Sequence, residues 1–220
     1  MVKLTQEVLS ALRGSANDEE AKSLRRYMRE QFDFFGVRTP ERREILQPIF
    51  AAHTPENADE LELWVKDLWS QRYREMQYSA CDYLYLHRNL LGSHHIKFLR
   101  HLIVTRSWWD TVDPLATRSL GDLALRYATV RSTLEKWIRD PNLWIRRSAI
   151  LYQLKYRDYT DWPLLQSFCL RVAKDEDFFI RKAIGWALRE YGRVNALEVK
   201  RFVLNNEFHP LTVREALKHL

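Results

Sequence analysis

Trp144-Ile-Arg-Arg-Ser-Ala-Ile and Phe179-Ile-Arg-Lys-Ala-Ile are the stretches of this 220-residue chain that decide its fold, because they are near-copies set 35 positions apart. The register extends backwards to Trp109-Asp-Thr-Val-Asp-Pro-Leu-Ala, 35 before Trp144, and to Tyr73-Arg-Glu-Met-Gln-Tyr-Ser-Ala, 36 before that. Looser copies flank the series at Val37-Arg-Thr-Pro-Glu-Arg-Arg-Glu-Ile-Leu and Thr212-Val-Arg-Glu-Ala-Leu. A step of this size marks a helical-repeat array rather than a compact α/β domain.

Within a step, an amphipathic helix such as Leu134-Glu-Lys-Trp-Ile runs into a polar break, Arg139-Asp-Pro-Asn, and a second helix follows. The i, i+3, i+4 spacing of Leu61-Trp64-Val65-Leu68 and Ile180-Ala183-Ile184-Ala187-Leu188 agrees. Alternating strand patterns and Asn-Gly or Asp-Gly hairpin dipeptides are missing. A lone helix pair cannot bury its apolar face, so neighbours must stack. The expected fold is all-α: a right-handed α-solenoid of about six helix pairs, forming a single domain over 1–220, with the second helices lining a concave face.

Lys and Arg number 35 against 29 Asp and Glu, a formal net charge of +6. That allows a polyanionic partner without demanding one, so position must decide. Arg42, Arg43, Arg74, Arg146, Arg147, Arg181, Lys182 and Arg214 fall at the starts of successive second helices, where a cation opposes the helix dipole. A phosphate backbone lying along those helix starts explains the repeated choice. Pairing with acids such as Glu41, Glu75 and Glu215 is the structural alternative. The start of the chain lacks a signal-peptide pattern and no stretch is long enough to cross a bilayer, so a cytoplasmic protein with no membrane partner is expected. Cys81 and Cys169 stand alone and should be reduced, buried thiols. HExxH, GxxxxGK[ST], GxGxxG and GxSxG are absent and His94-His95 diverge on any helix, so neither a metal nor a nucleotide cofactor is expected.

Thr105-Arg-Ser-Trp-Trp-Asp-Thr-Val-Asp-Pro is the exceptional copy, placing two tryptophans and two carboxylates where the others carry arginines. With Asp110 as the N-cap, Asp113 lies in the first turn on the same face as Trp109. Trp186 lies two turns along its own second helix and could face the same space. The bland alternative makes Asp113 an N-cap followed by Pro114 at the first helical position. Trp64, Trp69, Trp108 and Trp137 are expected in the core.

Over essentially its full length the chain resembles the AlkD-type DNA alkylation-repair glycosylases. The resemblance is carried by Arg26-Tyr-Met, Phe35-Gly-Val-Arg-Thr-Pro-Glu-Arg-Arg, Ser107-Trp-Trp-Asp-Thr-Val-Asp, Trp144-Ile-Arg-Arg-Ser-Ala-Ile-Leu, Leu154-Lys-Tyr and Phe178-Phe-Ile-Arg-Lys-Ala-Ile-Gly-Trp-Ala-Leu-Arg-Glu-Tyr. It implies a HEAT-like repeat fold and a catalytic cleft of Trp109, Asp113 and Trp186. It also implies DNA contacts from Arg147 and Tyr27, and excision of cationic alkylated purines such as 3-methyladenine and 7-methylguanine from double-stranded DNA without base flipping. Arg38 and Arg189 join the expected DNA-binding set, and a monomer is expected. Two positions depart from the family pattern: Pro114, where a small residue is usual, and Arg38, where an uncharged polar one is. The rival readings are a non-catalytic helical-repeat scaffold for DNA or protein, and a structure-specific nucleic-acid binder with little turnover.

Overall fold

The computed structural model describes residues 1–219. Those residues form helices and short connections, with one isolated bridge between Asp33 and Tyr73. They divide into two compact units, Met1–Leu91 and Gly92–Leu220.

The first unit holds α1 (Lys3–Gly14), α2 (Asp18–Tyr27), α3 (Thr39–Ala52), α4 (Ala58–Ser70) and α5 (Arg74–Leu86). Leu4, Val8 and Leu12, four apart on α1, and Leu61, Val65 and Leu68 on α4 are buried in its core. The turn into α3 needs a glycine: Gly36 has φ +88°, and a Cβ there would stand 2.1 Å from the Asn17 carbonyl oxygen. Glu75, fully buried at the start of α5, pins the turn by accepting from the backbone N–H groups of Phe35, Gly36 and Val37 at 3.1, 2.8 and 3.2 Å. Burial pushes the Glu75 carboxyl up, and those three amides oppose it.

The second unit begins with α6 (Ile96–Val104) and α7 (Trp109–Pro114). A six-residue π-helical stretch, Leu115–Leu120, continues α7 directly and passes into α8 (Gly121–Arg126); Pro114, Leu115, Leu120 and Gly121 all keep helical angles, so 109–126 is one continuous helix with a π segment inside. The pairs α9 (Ala128–Trp137) with α10 (Leu143–Leu151), α11 (Trp162–Arg171) with α12 (Phe178–Gly192), and α13 (Ala196–Leu204) with α14 (Pro210–Ala216) follow. The second helices pack in series: the π segment and α7 on α10, α10 on α12, α12 on α14. Trp109, Trp144, Phe179 and Thr212 each lie within the first three residues of one of these helices, and Tyr73 is the N-cap of α5, so the sequence register coincides with the structural repeat. Cys81 and Cys169 are free and buried.

Candidate active site

The site grows from the start of α7. Its N-cap is Trp108, extended at φ −158° and ψ 159° and making no side-chain cap. Asp110 therefore sits in the first turn and does not cap the helix, contrary to the sequence expectation. The hydroxyl that could have capped it, Ser107, instead donates back to the Ile103 carbonyl at 2.8 Å. Asp113 is the fifth residue of α7, which also removes its reading as an N-cap. Pro114 continues the helix at φ −64° and ψ −35°, and the Thr117 hydroxyl donates to the Asp113 carbonyl at 2.8 Å. Proline supplies no N–H to the preceding turn, and the π register begins at the next residue, where the hydrogen-bond ladder resumes.

The Asp113 carboxylate is gripped by Arg147 of α10 through both oxygens, Nε to Oδ1 at 2.7 Å and Nη2 to Oδ2 at 2.8 Å. The Asp113 side chain is 13% exposed and that of Arg147 is 6% exposed. Nη1 of Arg147 donates to the Phe179 carbonyl of α12 at 2.5 Å, so one guanidinium ties three successive second helices together. Burial pushes the Asp113 carboxyl above the ordinary carboxylate range; the paired guanidinium opposes this strongly, and Asp110 adds to the rise. Trp109 and Trp186 are half-buried, on the helices that flank α10. Trp108, Trp144 and Phe179 form an aromatic cluster beneath the α12 start, with ring centroids 5.0 to 5.7 Å apart. Trp69 and Trp137 are in the core as expected, whereas Trp64 and Trp108 are half-buried.

The basic residues are mostly engaged with acids. Arg146 donates to Asp175 at 3.1 Å and to the carbonyls of Asp140 and Pro141 at 2.8 and 2.9 Å. Arg181 donates to the Asp175 carbonyl at 2.9 Å, and Lys182 and Arg189 meet on Glu215 at 2.9 and 3.0 Å. Those partners hold the Glu215 carboxyl below its usual range, Lys182 most strongly. Arg214 is exposed on α14. In the first unit Arg42, buried, and Arg43, exposed, share Asp82. Arg74 is fully buried with its guanidinium 3.8 Å from the Phe32 ring centre. Arg38 is exposed and pairs with Glu20 at 2.9 Å, while Tyr27 is 68% exposed at the end of α2. The sequence named Glu41, Glu75 and Glu215 as possible partners; Glu215 is one, Glu75 holds the Gly36 turn, and Asp82, Asp113 and Asp175 take Arg42 and Arg43, Arg147, and Arg146 respectively. A signal for them existed, since the partner acids stand 40, 34 and 29 positions from Arg42, Arg147 and Arg146, about one repeat away.

A family model described as DNA alkylation repair enzyme matches residues 8–220. The chain belongs to the DNA alkylation repair enzyme family. A solved structure titled "Predicted DNA alkylation repair enzyme from Enterococcus faecalis" superposes on this family member with a TM-score of 0.86 at 28% identity, covering 93% of this chain and 96% of that one. No curated protein matches. Membership assigns this alkylation repair protein a role in DNA repair, and the superposition gives it a helical-repeat fold. Among its described residues no helix is long and apolar enough to cross a membrane.

Proposed function

We propose that this repair enzyme is a DNA glycosylase that hydrolyses the N-glycosidic bond of cationic N3- or N7-alkylated purines in duplex DNA, both units acting as one domain. The observation that carries the reading is the buried Asp113 carboxylate, one turn into α7, held in a bidentate grip by Arg147 of α10. Alkylation makes the base a cation and a good leaving group, so no general acid is required. As the C1′–N bond breaks, the deoxyribose gains oxocarbenium character, and an ionised carboxylate beside it stabilises that charge and orients the attacking water. A carboxylate has roughly four acceptor sites. Arg147 fills one on each oxygen, and the reading assigns the remaining sites to the sugar and the water. The low-polarity surroundings that lift the Asp113 pKa also strengthen its attraction for the developing cation. Trp109 and Trp186 are assigned to the same cleft, adding cation–π attraction of about 0.5–2 kcal/mol each.

For DNA binding, the reading gives Arg147 a contact through the two N–H groups its internal bonds leave over. Tyr27, Arg38 and Arg214 are assigned exposed contacts. The internal pairing of Arg42, Arg43, Arg146 and Lys182 favours a second reading in which these cations hold the repeats together, as they would in a non-catalytic scaffold. Single-turnover release of 7-methylguanine from methylated duplex separates the two: base release by the wild type and its loss in Asp113→Asn supports the glycosylase, and absent release leaves the scaffold.

A further inference from the structure

Arg147 makes its third hydrogen bond to a main-chain carbonyl, so its aim depends on where the start of α12 lies. That start is built by two carboxylates. Asp177 caps the helix, its Oδ1 accepting from the N–H groups of Phe179 and Ile180 at 2.7 and 3.3 Å. Asp175 fixes the turn before it, its Oδ1 accepting from the Asp177 N–H at 3.0 Å. The other oxygen of Asp175 accepts from Arg146, whose Nε and Nη2 both lie at 3.1 Å. Its carbonyl accepts from Arg181 at 2.9 Å and its N–H donates to the Val172 carbonyl at 3.0 Å. Arg146 and Arg147 are adjacent on α10, so they reach the start of α12 side by side, Arg146 through the Asp175 carboxylate and Arg147 through the Phe179 carbonyl.

The same box stands one repeat earlier. Asp140 accepts from the Asn142 N–H at 2.9 Å and from Arg100 at 2.8 Å, and Asn142 caps α10 on Trp144 and Ile145. At α7 the corresponding residues are Thr105 and Ser107, whose hydroxyls turn back to His101 and Ile103, and the cap is missing. The box thus stands on the two helices that seat Arg147 and is absent from the helix that carries Asp113.

We propose that Asp175 is a positioning residue for the Asp113–Arg147 pair: it anchors Arg146 and the α12 cap so that the Phe179 carbonyl holds Arg147 square on the carboxylate. The proposal rests on the glycosylase reading of that pair. Asp175 acts through other groups of the protein, its Oδ1 accepting from the Asp177 N–H and its Oδ2 from Arg146. Without this seat the guanidinium loses its third anchor and stabilises the Asp113 carboxylate less. The charged groups acting on that carboxylate are Arg147 from α10 and Asp110 from its own helix, while Arg146 faces away towards Asp175.

The test compares wild type, Asp175→Asn, Arg146→Met, the double variant, and Asp161→Asn, which alters the cap of α11 away from the pair. Two readouts are taken: the pH profile of single-turnover 7-methylguanine release, and the ionisation midpoint of Asp113 from the 13C shift of its carboxyl carbon. Asp175→Asn and Arg146→Met should each raise the Asp113 midpoint and the acid limb of release by about half a pH unit. Release below the limb should fall about threefold with unmodified-duplex affinity within twofold, the double variant should be no worse than either single one, and Asp161→Asn should leave both readouts in place. Lowered melting temperatures with the Asp113 midpoint unmoved would overturn the proposal and leave Asp175 a helix cap. If the wild type itself releases no base, the glycosylase reading falls, and the carbon shifts still decide whether Asp175 positions the pair.

Discussion

Asp113 is where chemistry and stability meet most directly. Asp113→Asn removes the charge and keeps the shape, so base release should slow roughly 10²–10³-fold. Because the raised folded pKa means that the site already favours a neutral carboxyl opposite Arg147, the same change should move the melting temperature little; a large loss of stability with ordinary turnover would make the pair purely structural. The pH dependence has opposite signs for fold and function. Burial holds the folded pKa of Asp113 above its unfolded value, so the stability it contributes is complete below the ordinary carboxylate range and is lost as pH rises through the folded value. Excision needs the ionised form and should appear as pH rises through that same value. Melting temperatures and single-turnover rates measured across this window in one buffer series check both signs. The sequence made Asp113 and Arg147 legible as site candidates but not as partners, because 34 positions separate them and their meeting depends on two second helices packing side by side.

Among the elements, α12 and α14 come closest where Gly185 lies. A Cβ at Gly185 would stand 2.4 Å from the Cβ of Glu215 and 3.1 Å from the Thr212 carbonyl oxygen, so this helical glycine serves close approach. Gly185→Ala should push α14 away and weaken the pairing of Glu215 with Lys182 and Arg189. The net loss should be about 1–3 kcal/mol, after the gain in helix propensity, as read by thermal melts. An unchanged or raised melting temperature would show that α14 yields without loss. Helix starts were legible from the sequence because Asp140-Pro-Asn142 and Asp175-Glu-Asp177 repeat at the 35-residue step. The start of α7 was misread because its capping box is gone: a spacing rule placed the cap on Asp110, whereas extended Trp108 takes that position and leaves Asp113 one turn deep.

For the molecule as a whole, the question is how much of a +6 charge is free to meet phosphates. The ion pairs of Arg42, Arg43, Arg146 and Lys182 reduce what each can release in counterions. The salt slope of duplex binding should therefore be shallower than a count of cations at second-helix starts implies. Arg214→Ala should lower that slope by about one, and Arg146→Ala should leave it nearly unchanged; equal effects from both would show that the Asp175 pair opens on DNA. Helical content and the repeat register were readable in advance because they depend on local periodicity. The pairing of cations was legible only as a separation of about one repeat, since the choice of partner depends on which acid the neighbouring repeat presents. The π segment at Leu115–Leu120 bears on how far the chain tolerates changes of length. A π segment holds one residue more than an α-helix of the same hydrogen-bond count, and each residue turns an α-helix by about 100°. Deleting one residue from 115–120 should therefore relax the stretch to α geometry without breaking the helix. Pro114 and Asp113 would then be rotated against Gly121, whose Cβ-less face lies against the Tyr152 carbonyl. Surface connections elsewhere can absorb insertions and deletions, but in this helix a single-residue deletion should leave a folded protein whose carboxylate points away from Arg147.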